Sequence, residues 1–240
     1  PDRAASLVPS IVNVFYSLAA APPASEQADP YARRLDQAAA ETLAAALSRG
    51  LVSTEMLGGG VGLLKIAHFS PALPSEVYSA LKDLEKLGMR RLIVDLTGCP
   101  GGDTEASLSL AGDFLPEKTA LAVLCESDGD ETTRRSVAET AYPWPLSILV
   151  DERTASAAEV FTGCLAFHGR ALVVGSKTYG KGAAQSLFSA EDGALSSNSV
   201  AELRLPDGRR IEGVGVTPHL AAGSPEEALT LAQTTLLEPA

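Results

Sequence analysis

The run RLIVDL at 91–96 places Leu92, Ile93 and Val94 side by side without a polar residue between them. Successive residues of a strand face opposite ways, so a strand built from this run must be covered on both faces. That is the situation of a parallel strand inside a sheet flanked by helices. Thr119–Leu124 reads as another buried strand, and Val61–Phe69, Leu146–Val150 and Ala171–Val174 read as further strands. Between them the period changes. Val77, Ala80, Leu81, Leu84 and Leu87 recur at helical spacing within 75–87, a second helix is expected from about Asp103 to Leu115, and a third from near Ser156 to about Phe167. This alternation predicts an α/β chain: a mostly parallel sheet with crossover helices. The polar, acidic stretch 126–144 reads as an exposed loop. Ser199–Leu205 is expected to pair with Arg209–Ile211 across the turn at Pro206, Asp207 and Gly208.

The chain divides into residues 1–60, read as a helical region, a core over 61–223 and a closing helix over 224–240. In the first part Asp29 and Pro30 start a helix that Gly50 ends, with Leu35, Ala39, Leu43 and Leu47 on one stripe. A second helix is expected over 9–18. Their apolar faces suggest oligomerisation or docking to a partner. At the other end Ser224, Pro225 and Glu227 form a capping-box signature.

Composition narrows the partners. Thirty acidic against 19 basic residues give a net charge of −11, and no Lys/Arg cluster exists to neutralise phosphates. This argues against nucleic acid and anionic membrane surfaces. No apolar run is long enough to span a bilayer, although 11–21 has signal-like hydrophobicity. Cys99, Cys125 and Cys164 are far apart with no CxxC pair, which argues against a metal site and rules out a full disulfide framework. Cys99 lies in a glycine-rich turn and is the one of the three with a reactive setting to test.

Two residues carry the candidate chemistry. Ser156 stands where strand Leu146–Val150 turns into a helix, and amides at a helix start point outward unsatisfied, beside the position of an attacking hydroxyl. A serine there is also among the commonest helix starters. Lys181 lies between Gly180 and Gly182, outside any helical or strand pattern. As a base it must be neutral, and an unperturbed lysine is only about 0.04% neutral at pH 7. Lowering its pKa by about three units costs about 4 kcal/mol, which burial can supply. Gln185, four residues on, has an amide oxygen to orient the amine. A solvated loop lysine and a phosphate-binding loop are the competing readings. Gly175 to Lys181 fits seven positions of GxxxxGK[ST], but the eighth is Gly182, so the magnesium-binding hydroxyl is missing. Of the three histidines, His68, His168 and His219, none lies near Ser156 along the chain.

The segment TASAAEV (154–160), followed by GRALVVGSKTYGKGAAQ (169–185), resembles the signature of the carboxyl-terminal processing (tail-specific) serine peptidases, the S41 group. LIVDLTGCPGGD (92–103) is similar to that family's LDLRxNPGG turn, with Thr97 and Cys99 in place of its Arg and Asn. The stretch from Pro206 to Pro218 is similar to its PxGRxIxGxGIxP segment. The resemblance implies a ClpP/crotonase-like core of ββα units. It implies Ser156 as nucleophile, Lys181 as base and Gln185 as its support. The oxyanion hole would combine the Ala157 N–H with one from the turn at Gly101 and Gly102. The substrate would be a protein or peptide, with no metal or organic cofactor. Family members usually carry a peptide-binding PDZ domain before the first core strand, where only 51–60 stands here, so that domain is expected to be absent. A non-catalytic peptide- or ligand-binding module on the same fold stays open. Retention of Ser156, Lys181 and Gln185 together favours the enzyme.

Overall fold

The computed structural model of this protein describes residues 50–126, 129–139, 141–189 and 195–238, with the main chain alone over 184–189 and 195–200. The helices expected over 9–18 and 31–49, with the docking role drawn from them, lie outside these residues. Ten strands are described: β1 (Val52–Leu57), β2 (Val61–Ile66), β3 (Arg91–Asp95), β4 (Ala120–Glu126), β5 (Glu131–Arg135), β6 (Leu146–Val150), β7 (Ala171–Gly175), β8 (Ala183–Ser189), β9 (Leu195–Arg204) and β10 (Leu220–Ala221). Four helices accompany them: α1 (Leu73–Lys86), α2 (Thr104–Gly112), α3 (Ala157–Phe167) and α4 (Pro225–Leu237).

The main sheet has the order β1-β2-β3-β6-β7-β10 and is parallel from β2 to β10, with β1 antiparallel at its edge. Its central strands β2, β3, β6 and β7 bury both faces, as their mostly apolar runs require. Leu64, Leu92, Val94, Ile148 and Val173 face a core shared with α1, α2 and α3, while Val61, Ile93, Leu149 and Val174 face α4 through Ala228 and Ala232. The phenylalanines Phe69, Phe114 and Phe161 meet edge-on or tilted in the larger core. Helix starts follow their signatures: Asp103 accepts from the Ala106 N–H at the head of α2, and Ser224 from the Glu227 N–H at the head of α4.

Several expectations need correction. The helical reading of 1–60 fails at 52–57, which form β1 and occupy the place before the first core strand. Ser53, Thr54 and Glu55 of this edge strand are exposed, so it lacks the apolar run that marks a central strand. The loop expected over 126–144 contains β5, whose sequence ETTRR is solvent-facing for the same reason. β4 does not join the parallel sheet. It lies in a second, antiparallel sheet of order β5-β4-β9-β8. The strand expected from Ser199 runs from Leu195 and pairs mainly with β8 and β4. The pairing expected across the Pro206 turn is present but short, an Arg204–Arg210 bridge with the Leu205 N–H donating to the Arg209 carbonyl (2.9 Å).

Candidate active site

Strands β3, β6 and β7 are adjacent and parallel, so their carboxyl ends deliver three turns to one place, the usual location of ligands on such sheets. These are the turn from β3 to α2 (96–103), the elbow from β6 to α3 (151–156) and the loop from β7 to β8 (176–182).

Ser156 occupies the elbow with φ 57° and ψ −122°, a backbone conformation that costs a non-glycine residue about 1–3 kcal/mol and persists only where the surroundings impose it. They do so here. The Ser156 N–H donates to Glu159 Oε2 (2.9 Å), and the preceding Ala155 N–H donates to the Cys99 carbonyl (3.0 Å). Asp151 is a buried anchor at the end of β6. Its Oδ1 accepts from the N–H groups of Gly98 (2.9 Å), Arg153 and Thr154 (both 3.0 Å). The Thr154 hydroxyl donates to the Leu96 carbonyl (2.9 Å), so elbow and β3 turn are stitched together by side chains.

The glycines of the β3 turn fit against this elbow. Gly101 has φ 95°, and a Cβ there would stand 2.5 Å from the Ala155 carbonyl oxygen and 2.8 Å from the Ala157 nitrogen. Only glycine allows that approach. The turn therefore lies against the first amide of α3, one of those a helix cannot satisfy from within. Gly102 rests on Phe69 and His68: the Phe69 N–H donates to the Gly101 carbonyl, and the Asp103 N–H to the Phe69 carbonyl (both 2.9 Å). The His68 ring is only 2% exposed, and neither nitrogen has a hydrogen-bond partner among the described residues. Burial holds its pKa down to about 4, and the Gly101 main chain opposes that only weakly. Cys99 fails as a reactive group, since complete burial pushes its thiol up to about 12.

The third turn carries Lys181, half-buried. Glu159, in the first turn of α3 and 0% exposed, joins this loop to the elbow. Its Oε1 accepts from the Thr178 hydroxyl and the Gly180 N–H (2.7 Å). Its Oε2 accepts from the Lys181 N–H (2.8 Å) and from the Ser156 N–H. The main chains of Ser156 and Lys181 therefore meet on one carboxylate oxygen. Burial pushes the Glu159 carboxyl up, and these hydrogen bonds pull it back. On the other side the Gly213 N–H donates to the Gly180 carbonyl (2.9 Å), and Glu212 accepts from Gly182 and Ala183. With its amides so occupied, and a strand instead of a helix following, the loop cannot cradle a phosphate.

Of the residues singled out in the sequence, Ser156, Ala157, Gly101, Gly102 and Lys181 come together through their main chains. Gln185 lies on β8 opposite Ser199, and its side chain is outside those described. The other histidines have structural tasks: His168 caps α3 with Nε2 2.7 Å from the Ala120 carbonyl, and His219 Nδ1 accepts from the Val173 N–H (2.9 Å). Sequence reasoning missed Asp151, Thr178, Glu159 and Glu212. Only Glu159 had a usable signal, as a glutamate three residues into a helix.

Residues 60–222 match the family model described as peptidase family S41. The carboxyl-terminal-processing protease of Synechocystis sp. is 36% identical over 168 residues, covering 70% of this chain and 39% of that protein. A probable CtpA-like serine protease of Staphylococcus haemolyticus is 34% identical over 168 residues, covering 69% of this chain and 34% of that protein. The chain thus spans well under half the length of these relatives. Among solved structures, a photosystem II D1 C-terminal processing protease has the same fold, with a TM-score of 0.66 at 24% identity over 78% of this chain and 54% of that one. A family model matched over most of the chain, and relatives above 30% identity across the same region, give one conclusion: the chain belongs to peptidase family S41.

Proposed function

We propose that this chain is the core of a serine endopeptidase in which Ser156 is the nucleophile and Lys181 its base. The observation that carries the reading is the shared carboxylate oxygen, which holds the backbone of a strained serine and that of a glycine-flanked lysine two hydrogen bonds apart. In the mechanism, neutral Lys181 takes the Ser156 hydroxyl proton as the oxygen attacks a peptide carbonyl. The tetrahedral oxyanion is held by the Ala157 N–H and an N–H of the Gly101–Gly102 turn, a type of contact worth about 10²–10³ in rate. Lys181 passes the proton to the leaving amine, then draws one from the water that opens the acyl-enzyme. Gln185 orients the amine. The substrate is a protein or peptide docking as an added strand at a sheet edge.

Ser156→Ala and Lys181→Ala are each expected to lower hydrolysis of a denatured protein such as casein by about a thousandfold or more, with an unchanged circular dichroism spectrum. A fluorophosphonate probe is expected to label Ser156 in the parent chain. Wild-type turnover by Lys181→Ala would end the lysine-base reading.

A further inference from the structure

Four consecutive main-chain amides around Lys181 are taken up by carboxylate oxygens. Gly180 and Lys181 donate to Glu159, and Gly182 and Ala183 both donate to Glu212 Oε2 (2.7 and 2.9 Å). The two glutamates arrive from different parts of the fold, Glu159 from α3 and Glu212 from the segment after β9. The flanking glycines permit the approach: Gly180 has φ 94°, and a Cβ at Gly182 would stand 2.7 Å from the Glu212 nitrogen. Satisfying four loop amides does not call for charge, because water or carbonyl oxygens would serve. Two carboxylates bound to the main chain at and next to a lysine whose amine must be neutral to act also work against that neutrality. Their presence therefore calls for a reason.

We infer that Glu159 and Glu212 are positioning residues for the base: they clamp its loop by the main chain and supply the negative charge against which Lys181 holds its proton during reaction. This rests on the Ser156–Lys181 reading above. In the step concerned, the Ser156 O–H bond breaks, its electron pair stays on oxygen, and the proton binds the lone pair of Lys181 Nζ to give an ammonium. Fixed anions nearby favour that product. By the same token they favour the ammonium in the resting protein, so activation of Ser156 sets in at higher pH than it would without them. Three of the four partners of Glu159 are main-chain N–H donors, the set a carboxylate accepts, and the Thr178 hydroxyl, which itself accepts from the Val216 N–H (2.7 Å), completes them. The other titratable and charged groups on elements around the elbow and loop are Asp151, paired with Arg153; Glu152, accepting from the Ser176 hydroxyl; Asp95, paired with Lys65; Asp103 at the head of α2; and the buried Cys99 and His68. Glu202 lies opposite Ala183 and is paired with Arg204 and Arg210, and Lys177 and Tyr179 share the loop itself.

The test follows the pH dependence of fluorophosphonate labelling at Ser156 in the parent chain, Glu159→Gln and Glu212→Gln, beside amide hydrogen exchange at 180–183 in the parent chain and Glu212→Ala. Glu159→Gln is expected to lower the labelling plateau and to move its acidic limb down by about one pH unit. Glu212→Gln, whose parent side chain is half-exposed, is expected to move the limb in the same direction by less. Glu212→Ala, which removes the acceptor oxygen that Gln would keep, is expected to lose exchange protection at Gly182 and Ala183 while Gly180 and Lys181 keep it. Should Glu159→Gln not accumulate as folded protein, the two Glu212 variants carry both judgements. A lowered plateau with an unmoved limb, or a limb moved upward, overturns the electrostatic half of the inference, and unchanged protection overturns the clamp. Absence of labelling in the parent chain sinks the serine–lysine reading instead, and the exchange data still decide the clamp.

Discussion

Ser156 stands at the head of α3, whose residues from Ala157 to Leu165 are all buried, whereas Lys181 stands in a loop whose described anchors are polar: the carboxylates of Glu159 and Glu212 and the Gly213 amide. The elbow inherits its geometry from the packed core, through Phe161 and the strands beneath it. The Lys181 loop takes its position from charge-assisted hydrogen bonds to single groups. Packing is distributed over many atoms and tolerates little change in volume, while a two-atom carboxylate can be lost with one substitution. Damage to the packed core beneath the elbow should therefore appear as lost stability, and damage to the anchors of the Lys181 loop as lost activity.

The largest effect is expected for Phe161→Ala. The ring is 0% exposed and contacts Phe69 and Phe114, so its removal should cost about 3–5 kcal/mol in urea unfolding. A loss below 1 kcal/mol would mean that the core does not set the elbow. Next comes His68, behind Gly102. Its folded-state pKa of about 4 lies below the ordinary 6.5, so the folded protein resists a proton that the unfolded chain accepts. Its stabilising contribution is complete above pH 6.5 and is lost as pH falls toward 4, a change of about 3 kcal/mol. Denaturation at pH 7 and pH 4 should show that loss in the parent chain and not in His68→Gln; equal pH dependence in both would contradict the buried neutral imidazole. The smallest stability effect is expected in the loop half. Gly182→Ala forces the Glu212 backbone away, and should slow hydrolysis by about ten- to a hundredfold while costing about 1–3 kcal/mol of stability, because the displaced atoms are main chain. If it destabilised the fold as much as Phe161→Ala, the contrast between the two halves would be void.

Much of this was legible along the chain. The central strands announce themselves because a strand covered on both faces must be mostly apolar on both, as the LIV run of RLIVD and the ILV run of LSILV are. Ser156 and Lys181 stand out because each sits at a break in the local pattern, at a helix head and between two glycines. β1 and β5 were hidden by the same physics that exposes them: edge strands with one partner carry Ser, Thr, Glu and Arg, which read as loop. Asp151 looked like the end of a strand, and nothing nearby in sequence showed that the Gly98 amide would seek it across 53 positions.

What the sequence alone determined is the parallel type of the main sheet and the order of its helices, and it singled out Ser156 and Lys181 as candidates, because periodicity and short motifs are local properties. The partition of strands between two sheets, the convergence of three turns at one edge, and the recruitment of Glu159 and Glu212 to the lysine loop were decided by tertiary structure. Those outcomes depend on which hydrogen-bonding groups lie next to one another in space, and that adjacency exists only once the chain has folded.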